Sequence, residues 1–403
     1  MFKLLQINVA SNRGSTGRIA EDIGLVAKKE GWECYIAHGS RYVGNTALND
    51  INIGSLCEER LHYCLSLCFD AHGRGSTYAT RRFVNVINKI RPDIVHLHNI
   101  HGYYINYKIL FDCLKSLGVP VVWTLHDCWS FTGHCTYCDR IHCLKWKTGC
   151  HTCPQKEVYP SAIIDRAEFN YKKKKAVFTS LNNLTLVPVS DWLSGMVEES
   201  FLATYPRIVI HNGINTSIFT PTNCHIRDVI GLKGQKVILG VADDFGERKG
   251  LDDFIQMRSL LPSDYSIVLI GVSSSDMEKI PKDIIAISRT DSQLELADYY
   301  SLADVYVNPT YEDNFPTTNI EALACGTPII TYDTGGSPEA LDSNTGIVVP
   351  KGDVSSLVSS VVEVCAKGKV FYSSLCRSRA ETSFDKSVCF RKYMELYYKL
   401  LNV

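Results

Sequence analysis

Short apolar runs recur along the chain, and each pair of them leaves room for one amphipathic helix. The first run, "FKLLQINV", is followed by "ASNRGSTGRIAEDIGLVAKKEGWECYIAHG". That order predicts a strand, a Gly-rich turn, a helix with one apolar face and a second strand, the unit of a parallel sheet. The pattern repeats at "INKIRPDIVHLHN" and "KILFDCLKSLGVPVVWTLHD". Both runs end in His and polar residues, where a parallel strand delivers its functional loop. "LTLVPVSDWLSGMV" adds one more strand and helix start. Around "YPRIVIHNGINTSIFTPT" the periodicity gives way to turns, and a second series then opens with "KVILGVADDFGERKGLDDFIQM". It continues through "YSIVLIGV", "IIAIS", "ADVYVNPT", "GTPIITYD" and "GIVVP", and the chain closes on the amphipathic "DKSVCFRKYMELYYKLLNV".

The expected fold is therefore α/β, with two Rossmann-like doubly wound domains. The first spans 1–205 with a Cys-rich insertion at 128–155, the second spans 206–380, and a final helix occupies 381–403. Ligands of such sheets bind beyond the strand ends, so the chemistry is expected in a cleft where the two domains face each other. Length agrees, since 403 residues fit two domains that each bury a core.

Composition narrows the function classes. A hydrophobic share of 45% with 21% charged residues is that of a globular protein. A net charge of −1 gives no sign of a nucleic-acid binder. No apolar run approaches the roughly 18 residues of a membrane span. "MFKLLQINVAS" reads as a first strand better than as a leader peptide, which sets a cytoplasmic expectation. The one basic block, "YKKKKAVF", reads as a solvated helix face, with a membrane-surface contact as the lesser alternative.

Four stretches carry candidate chemistry. "VYVNPTYEDNFPTTNIEALACGTPIITYDTGG" ends a strand at Pro309, presents Glu312 and Asp313 on a loop, and starts a helix at about Thr317. A helix start offers unpaired amides and partial positive charge, a seat for a diphosphate. The same residues also read as a capping box over Thr318 to Glu321, which leaves Asp313 a loop residue. "SNRGSTGRIA" is a Gly-rich turn into a helix that fits neither the P-loop nor the dinucleotide fingerprint. "TLHD" sets His126 and Asp127 at a strand end, while His96, His98 and His101 in "HLHNIHGYYIN" lack metal spacing and read as wall and packing. Of sixteen cysteines, ten are scattered and read as buried small hydrophobes. The other six crowd into "HDCWSFTGHCTYCDRIHCLKWKTGCHTCPQ". There Cys135, Cys138, Cys150 and Cys153 form two C-x-x-C pairs that suit structural Zn, with Cys143, His134 and His142 competing as ligands and free thiols as the alternative.

The acidic segment resembles that of the retaining glycosyltransferases of family 4, in which two acids are separated by seven residues. The resemblance extends to "HNGINTSIFTP" between the domains and "ERKGLDDFI", and so covers nearly the whole chain. It implies the GT-B arrangement of the two domains. It also implies that Glu321 holds the ribose of a nucleotide-sugar, that Asp313 (or the adjacent Glu312) contacts the transferred sugar, and that Lys249 binds the donor phosphates. Amides around Phe315, Thr317 and Thr318 meet the diphosphate. The family's phosphate-binding Arg is replaced here by Asp244, with Arg248 as its substitute. Gly14, Gly17 and Arg18 fall on the loop that approaches the donor phosphate and the acceptor, and His126 on the donor sugar, with Asp127 beside it. "WTLHDCWSFTGHC" with downstream "CP" is similar to a subgroup found in bacterial exopolysaccharide clusters, of the colanic-acid type.

No D-x-D occurs in the chain. The implied activity is a retaining hexosyl transfer without a catalytic metal or other cofactor, from a nucleotide-sugar to a glycan or lipid-linked saccharide. No nucleic-acid partner is expected, and peripheral contact with the inner membrane is kept open. The alternatives are a sugar-nucleotide epimerase on the same fold and a non-catalytic sugar-nucleotide-binding relative.

Overall fold

The computed structural model describes residues 1–223, 226–232 and 234–403. Cys224, one of the scattered cysteines, lies outside the described residues. The chain divides into two units, Met1–His211 joined by Phe390–Val403, and Asn212–Cys389.

The first unit is built on β1 (Lys3–Ser11), β2 (Glu33–Val43), β3 (Asn49–Asn52), β4 (Ile94–Leu97), β5 (Val121–Leu125) and β6 (Leu184–Pro188). They form one parallel sheet in the order β3-β2-β1-β4-β5-β6. Every residue of β4, β5 and β6 is buried. This is why those runs read as continuously apolar, since helices cover both faces of such a sheet. Part of the cover comes from the end of the chain, the helix Lys386–Leu401. From it the Tyr397 hydroxyl meets His96 Nδ1 at 2.6 Å and Tyr393 meets Thr124 Oγ1 at 3.0 Å. Trp32 Nε1 donates to Tyr398, whose hydroxyl donates to Glu30.

The second unit repeats the plan with β7 (Lys236–Val241), β8 (Tyr265–Ile270), β9 (Ile284–Ile287), β10 (Val305–Asn308), β11 (Ile329–Tyr332) and β12 (Gly346–Val349). Its parallel order is β12-β11-β10-β7-β8-β9. In both units the strand order reverses beside the first strand, at β1/β4 and at β7/β10. A reversal splays the following loops to opposite faces and opens a crevice beyond the strand ends.

Two local readings are corrected. The helix Leu56–Phe69 buries its polar positions, Glu59, His62 and Ser66, and exposes Leu56, Leu61, Leu65 and Phe69. Three scattered cysteines, Cys57, Cys64 and Cys68, share its exposed side instead of the core. The buried polar set is anchored by loop backbone. Glu59 accepts from the Ser40 amide, and His62 Nε2 accepts from Gly75 N at 3.0 Å. In the basic block, Lys172, Lys173 and Lys175 are exposed but Lys174 is buried. Its ammonium donates to Trp129 O (2.7 Å) and Thr132 O (3.1 Å), and lies 3.6 Å from the centre of the Trp129 ring. Burial pushes its pKa down to about 7.

Candidate active site

The reversal in the second sheet gathers two loops, one after β7 and one after β10. The first ends in the tight turn Glu247–Lys249 and enters the helix Leu251–Leu260 through Gly250. Gly250 has φ +69°, and a Cβ there would stand 2.3 Å from Pro309 O. Only glycine lets this turn lie against the end of β10. The two loops are then tied together. Tyr311 N donates to Arg248 O at 2.9 Å, and the Arg248 guanidinium donates to Glu312 O at 3.1 Å. Lys249 Nζ meets Asp313 Oδ2 at 2.5 Å, with both side chains largely shielded from solvent. Asp244, by contrast, is exposed.

The helix after the second loop runs Thr317–Ala324 and takes Pro316 as its N-cap, with no side chain capping it. The capping box expected at Thr318–Glu321 is therefore absent. Because the helix starts at Thr317, Thr318 already lies inside its first turn, where its side chain bonds Tyr306. Glu321 is buried, and its Oε2 accepts from the Tyr300 hydroxyl at 3.1 Å. Burial and the Glu321 carboxylate push the Tyr300 phenol well above its ordinary range, so it stays a donor. Without a side-chain cap, the first-turn amides and the positive end of the helix dipole face outward from the sheet. The start is fixed in place by Asn319, which bonds Asn308 (2.8 Å) and Ser337 Oγ (2.9 Å). Phe315 is buried and its carbonyl accepts from Asn212 Nδ2 at 3.2 Å.

Arg248, Lys249, Asp313, Phe315, Thr317, Thr318 and Glu321 thus belong to one cluster at the strand ends of the second unit. Tyr300 is the member that sequence reasoning missed. In "ADYYSLADV" it looks like any packing tyrosine, and only the tertiary contact to Glu321 marks it.

The remaining candidates lie on the first unit. The helix Gly14–Lys29 begins after β1 without a side-chain cap, Gly17 packs 3.3 Å from Ala10 Cβ by its would-be Cβ, and Arg18 is exposed. His126 and Asp127 follow β5. His126 Nε2 lies 3.2 Å from His98 Nδ1, the two rings stack, and His98 Nε2 bonds Gln6 Oε1 at 3.0 Å. Asp127 is occupied on both oxygens, by His101 Nε2 at 2.8 Å and by Trp129 N at 2.9 Å. Burial pulls its carboxyl up, but the His101 contact and the amide outweigh it and hold it below the ordinary range. Asp127 thereby orients the loop that carries His126.

Burial pushes His62 and His126 down to about 4, and His72, His96 and His98 well below their ordinary value. The folded state keeps these rings neutral while the unfolded chain binds protons from about pH 6.5 downward. Stability is therefore full above pH 6.5 and is lost as pH falls toward 4, by up to about 1.4 kcal/mol per pH unit for each ring. Urea unfolding at pH 7.5 and 5.0 should show the lower midpoint at pH 5.0, and equal midpoints would contradict neutral burial.

The Cys-rich stretch is irregular apart from the single turn Lys145–Lys147. Cys135, Cys138, Cys150 and Cys153 line one small cavity with Cys143 and His134. Among the described residues, no three of these sulfurs lie within 4.8 Å of one another. All six cysteines of the stretch are free thiols, with hydrogen bonds between Cys135 and Cys153 and between Cys138 and Cys128. Among the described residues no helix is long and apolar enough to cross a membrane.

With this geometry in view, the likenesses to known proteins take on meaning. Residues 235–367, which carry the second-unit cluster, match the family described as glycosyl transferases group 1. The chain is 24% identical over 99% of its length to all of an Escherichia coli K12 protein named as a colanic acid biosynthesis glycosyl transferase, WcaC. The fold is that of sucrose-phosphate synthase from Thermosynechococcus elongatus (TM-score 0.74, 17% identity, both chains covered in full). It is also that of Anabaena HepE in complex with UDP-glucose (TM-score 0.69, 12% identity, 99% and 100% covered). Two six-stranded parallel sheets of this order give the chain the GT-B fold of these solved structures, and its second sheet carries the similarity to the group 1 glycosyl transferases.

Proposed function

We propose that the chain is a retaining hexosyltransferase of bacterial surface polysaccharide synthesis, using a nucleotide-sugar donor and needing no catalytic metal. The observation that carries this reading is the uncapped helix start at Thr317 with Lys249 and Arg248 fixed beside its loop. Two cations and the positive end of a helix dipole offset the negative charge that a departing diphosphate develops. Glu321, buried and held by Tyr300, is assigned to the ribose hydroxyls. Asp313 is assigned to the sugar hydroxyls once the diphosphate takes Lys249 from it. Gly14, Gly17, Arg18 and His126 are assigned to the acceptor and the reactive end of the donor. Transfer through an oxocarbenium-like transition state lets the leaving phosphate accept the proton of the acceptor hydroxyl.

A thermal-shift series with UDP- and GDP-sugars tests the donor assignment. A donor at 100-fold its Kd adds about 2.7 kcal/mol, so one nucleotide series should raise the melting temperature by several degrees. A flat response to all nucleotide-sugars sinks the reading.

The acceptor we propose is lipid-linked, reached by peripheral contact with an anionic bilayer. The support is the inverted helix Leu56–Phe69. Its exposed Leu61 and Phe69 continue through Ile163, whose amide donates to Leu67 O at 2.7 Å, to exposed Ile164 and Phe169. Exposed or partly exposed Arg60, Lys156, Lys172 and Lys173 belong to the same segments. An apolar face rimmed by basic residues suits anionic headgroups over acyl chains. Vesicles rich in phosphatidylglycerol should sediment the chain where neutral vesicles do not, and Leu61→Glu with Leu65→Glu should release it. Concentration-dependent dimers without vesicle binding would instead assign the face to a second copy.

A further inference from the structure

The geometry points to a zinc-class metal site in the Cys-rich stretch whose ligands are Cys135, Cys143, Cys150 and Cys153. This set takes Cys143 in place of Cys138, the residue that C-x-x-C spacing selects. The choice follows from what each thiol already does. Cys138 bonds the Cys128 thiol, and Cys128 does not line the cavity. The other four line it beside Cys138, whose thiol is engaged with a partner outside it. The free thiols of Cys135 and Cys153 share a hydrogen bond, and Cys150 interacts electrostatically with both Cys143 and Cys153.

Backbone amides also fix two of these sulfurs in place. Gly133 N donates to Cys150 Sγ at 3.2 Å, and Gln155 N donates to Cys153. The Gly133 contact is close by construction. A Cβ on Gly133 would stand 2.7 Å from Cys150 Cβ and 2.2 Å from Ala167 O, so glycine is required for the two loop segments to meet.

A third observation is independent of the thiols. His134 lines the same cavity, and its Nδ1 is held by Asp70 Oδ1 at 2.8 Å with both side chains about 1% exposed. Its Nε2 is buried and has no partner. Metal sites back a ligating imidazole with a carboxylate in this way, so the His134 nitrogen at the sulfur-lined cavity is a further mark of a metal site and an alternative ligand to one of the thiols. The stretch also needs a staple. It holds one three-residue turn of regular structure. The four sulfurs stand around the cavity as pairs, and the inference is that Zn²⁺ draws them together and stabilises the folded loop.

The test uses the full chain, purified with reductant and without chelator. Elemental analysis should find about one zinc per chain, and Co²⁺ exchanged for it should give the intense visible bands and sulfur charge-transfer absorption of a tetrahedral thiolate site. Cys143→Ser should lose the metal or bind it at least tenfold more weakly, while Cys138→Ser should retain it. Retention by Cys143→Ser with loss by Cys138→Ser overturns this ligand set. If Cys143→Ser fails to fold, the cobalt spectrum of the unaltered chain still decides, because weak octahedral bands overturn the site. A chain that carries no zinc and takes up none from added Zn²⁺ overturns it outright. Donor binding by the second unit is read separately by thermal shift, so failure here leaves the proposed activity untouched.

Discussion

Glu321→Gln is expected to raise the KM for the nucleotide-sugar by about 10- to 100-fold while the protein unfolds at nearly its usual midpoint. The glutamine keeps a carbonyl oxygen for the Tyr300 hydroxyl, which Glu321 accepts at 3.1 Å, so the buried contact survives. On the proposed reading it loses the charge that strengthens two hydrogen bonds to vicinal ribose hydroxyls, worth about 1.5–3 kcal/mol each when one partner is charged. Glu321→Ala should go further and abolish donor turnover. It also strands a buried Tyr300 hydroxyl at a cost of about 1–3 kcal/mol, so its stability must be measured beside its activity. Slow hydrolysis of the donor without acceptor is the assay, since it isolates the donor side of the reaction. Unchanged KM and kcat in Glu321→Gln would falsify the ribose assignment.

Lys249→Ala should act on kcat. The ammonium sits 2.5 Å from Asp313 in this structure, and on the proposed reading it moves to phosphate oxygens whose charge grows as the sugar departs. Removing such a preorganised cation costs about 10²- to 10³-fold in kcat. A group that acts mainly in the transition state lowers kcat and kcat/KM together. Asp313→Asn alone should impair sugar recognition and free Lys249. The double substitution should fall short of the sum of the two effects, because the residues share one contact. Strict additivity would mean that the Lys249–Asp313 pair has no part in the reaction.

The strands were legible because a parallel sheet covered on both faces demands short apolar runs, and β4, β5 and β6 are buried throughout. The candidate cluster was legible for a related reason. Strand order brings the loops after β7 and β10 to one crevice, and those loops carry Arg248, Lys249, Gly250 and Asp313. The helix begins at Thr317 as expected, but its N-cap is Pro316 and not Thr318, and Glu321 meets Tyr300 where a capping role was expected. The helix Leu56–Phe69 was the hardest case. Its inward face is polar because Glu59 and His62 serve the amides of Ser40 and Gly75. A rule that turns apolar residues inward therefore assigns Cys57, Cys64 and Cys68 to the wrong side. Lys174 departs from its neighbours for a similar reason, since two loop carbonyls and the face of Trp129 replace water around its ammonium.

The order in which the ribosome makes these parts has a consequence for the first unit. His96 and Thr124, in the middle of its sheet, find their hydroxyl partners on Tyr397 and Tyr393. Those tyrosines are translated only after the whole of Asn212–Cys389. At the usual pace of synthesis the wait is roughly ten to forty seconds. During that time the nascent first unit must hold an open apolar seam, with His96 and Thr124 bonded to each other at 2.7 Å but lacking their tyrosine partners. A chaperone that shields this seam, or a stop codon just before Phe390, should therefore reveal a waiting state that pulse-chase proteolysis can catch. The second unit, complete by Cys389, should reach its final protection before the first.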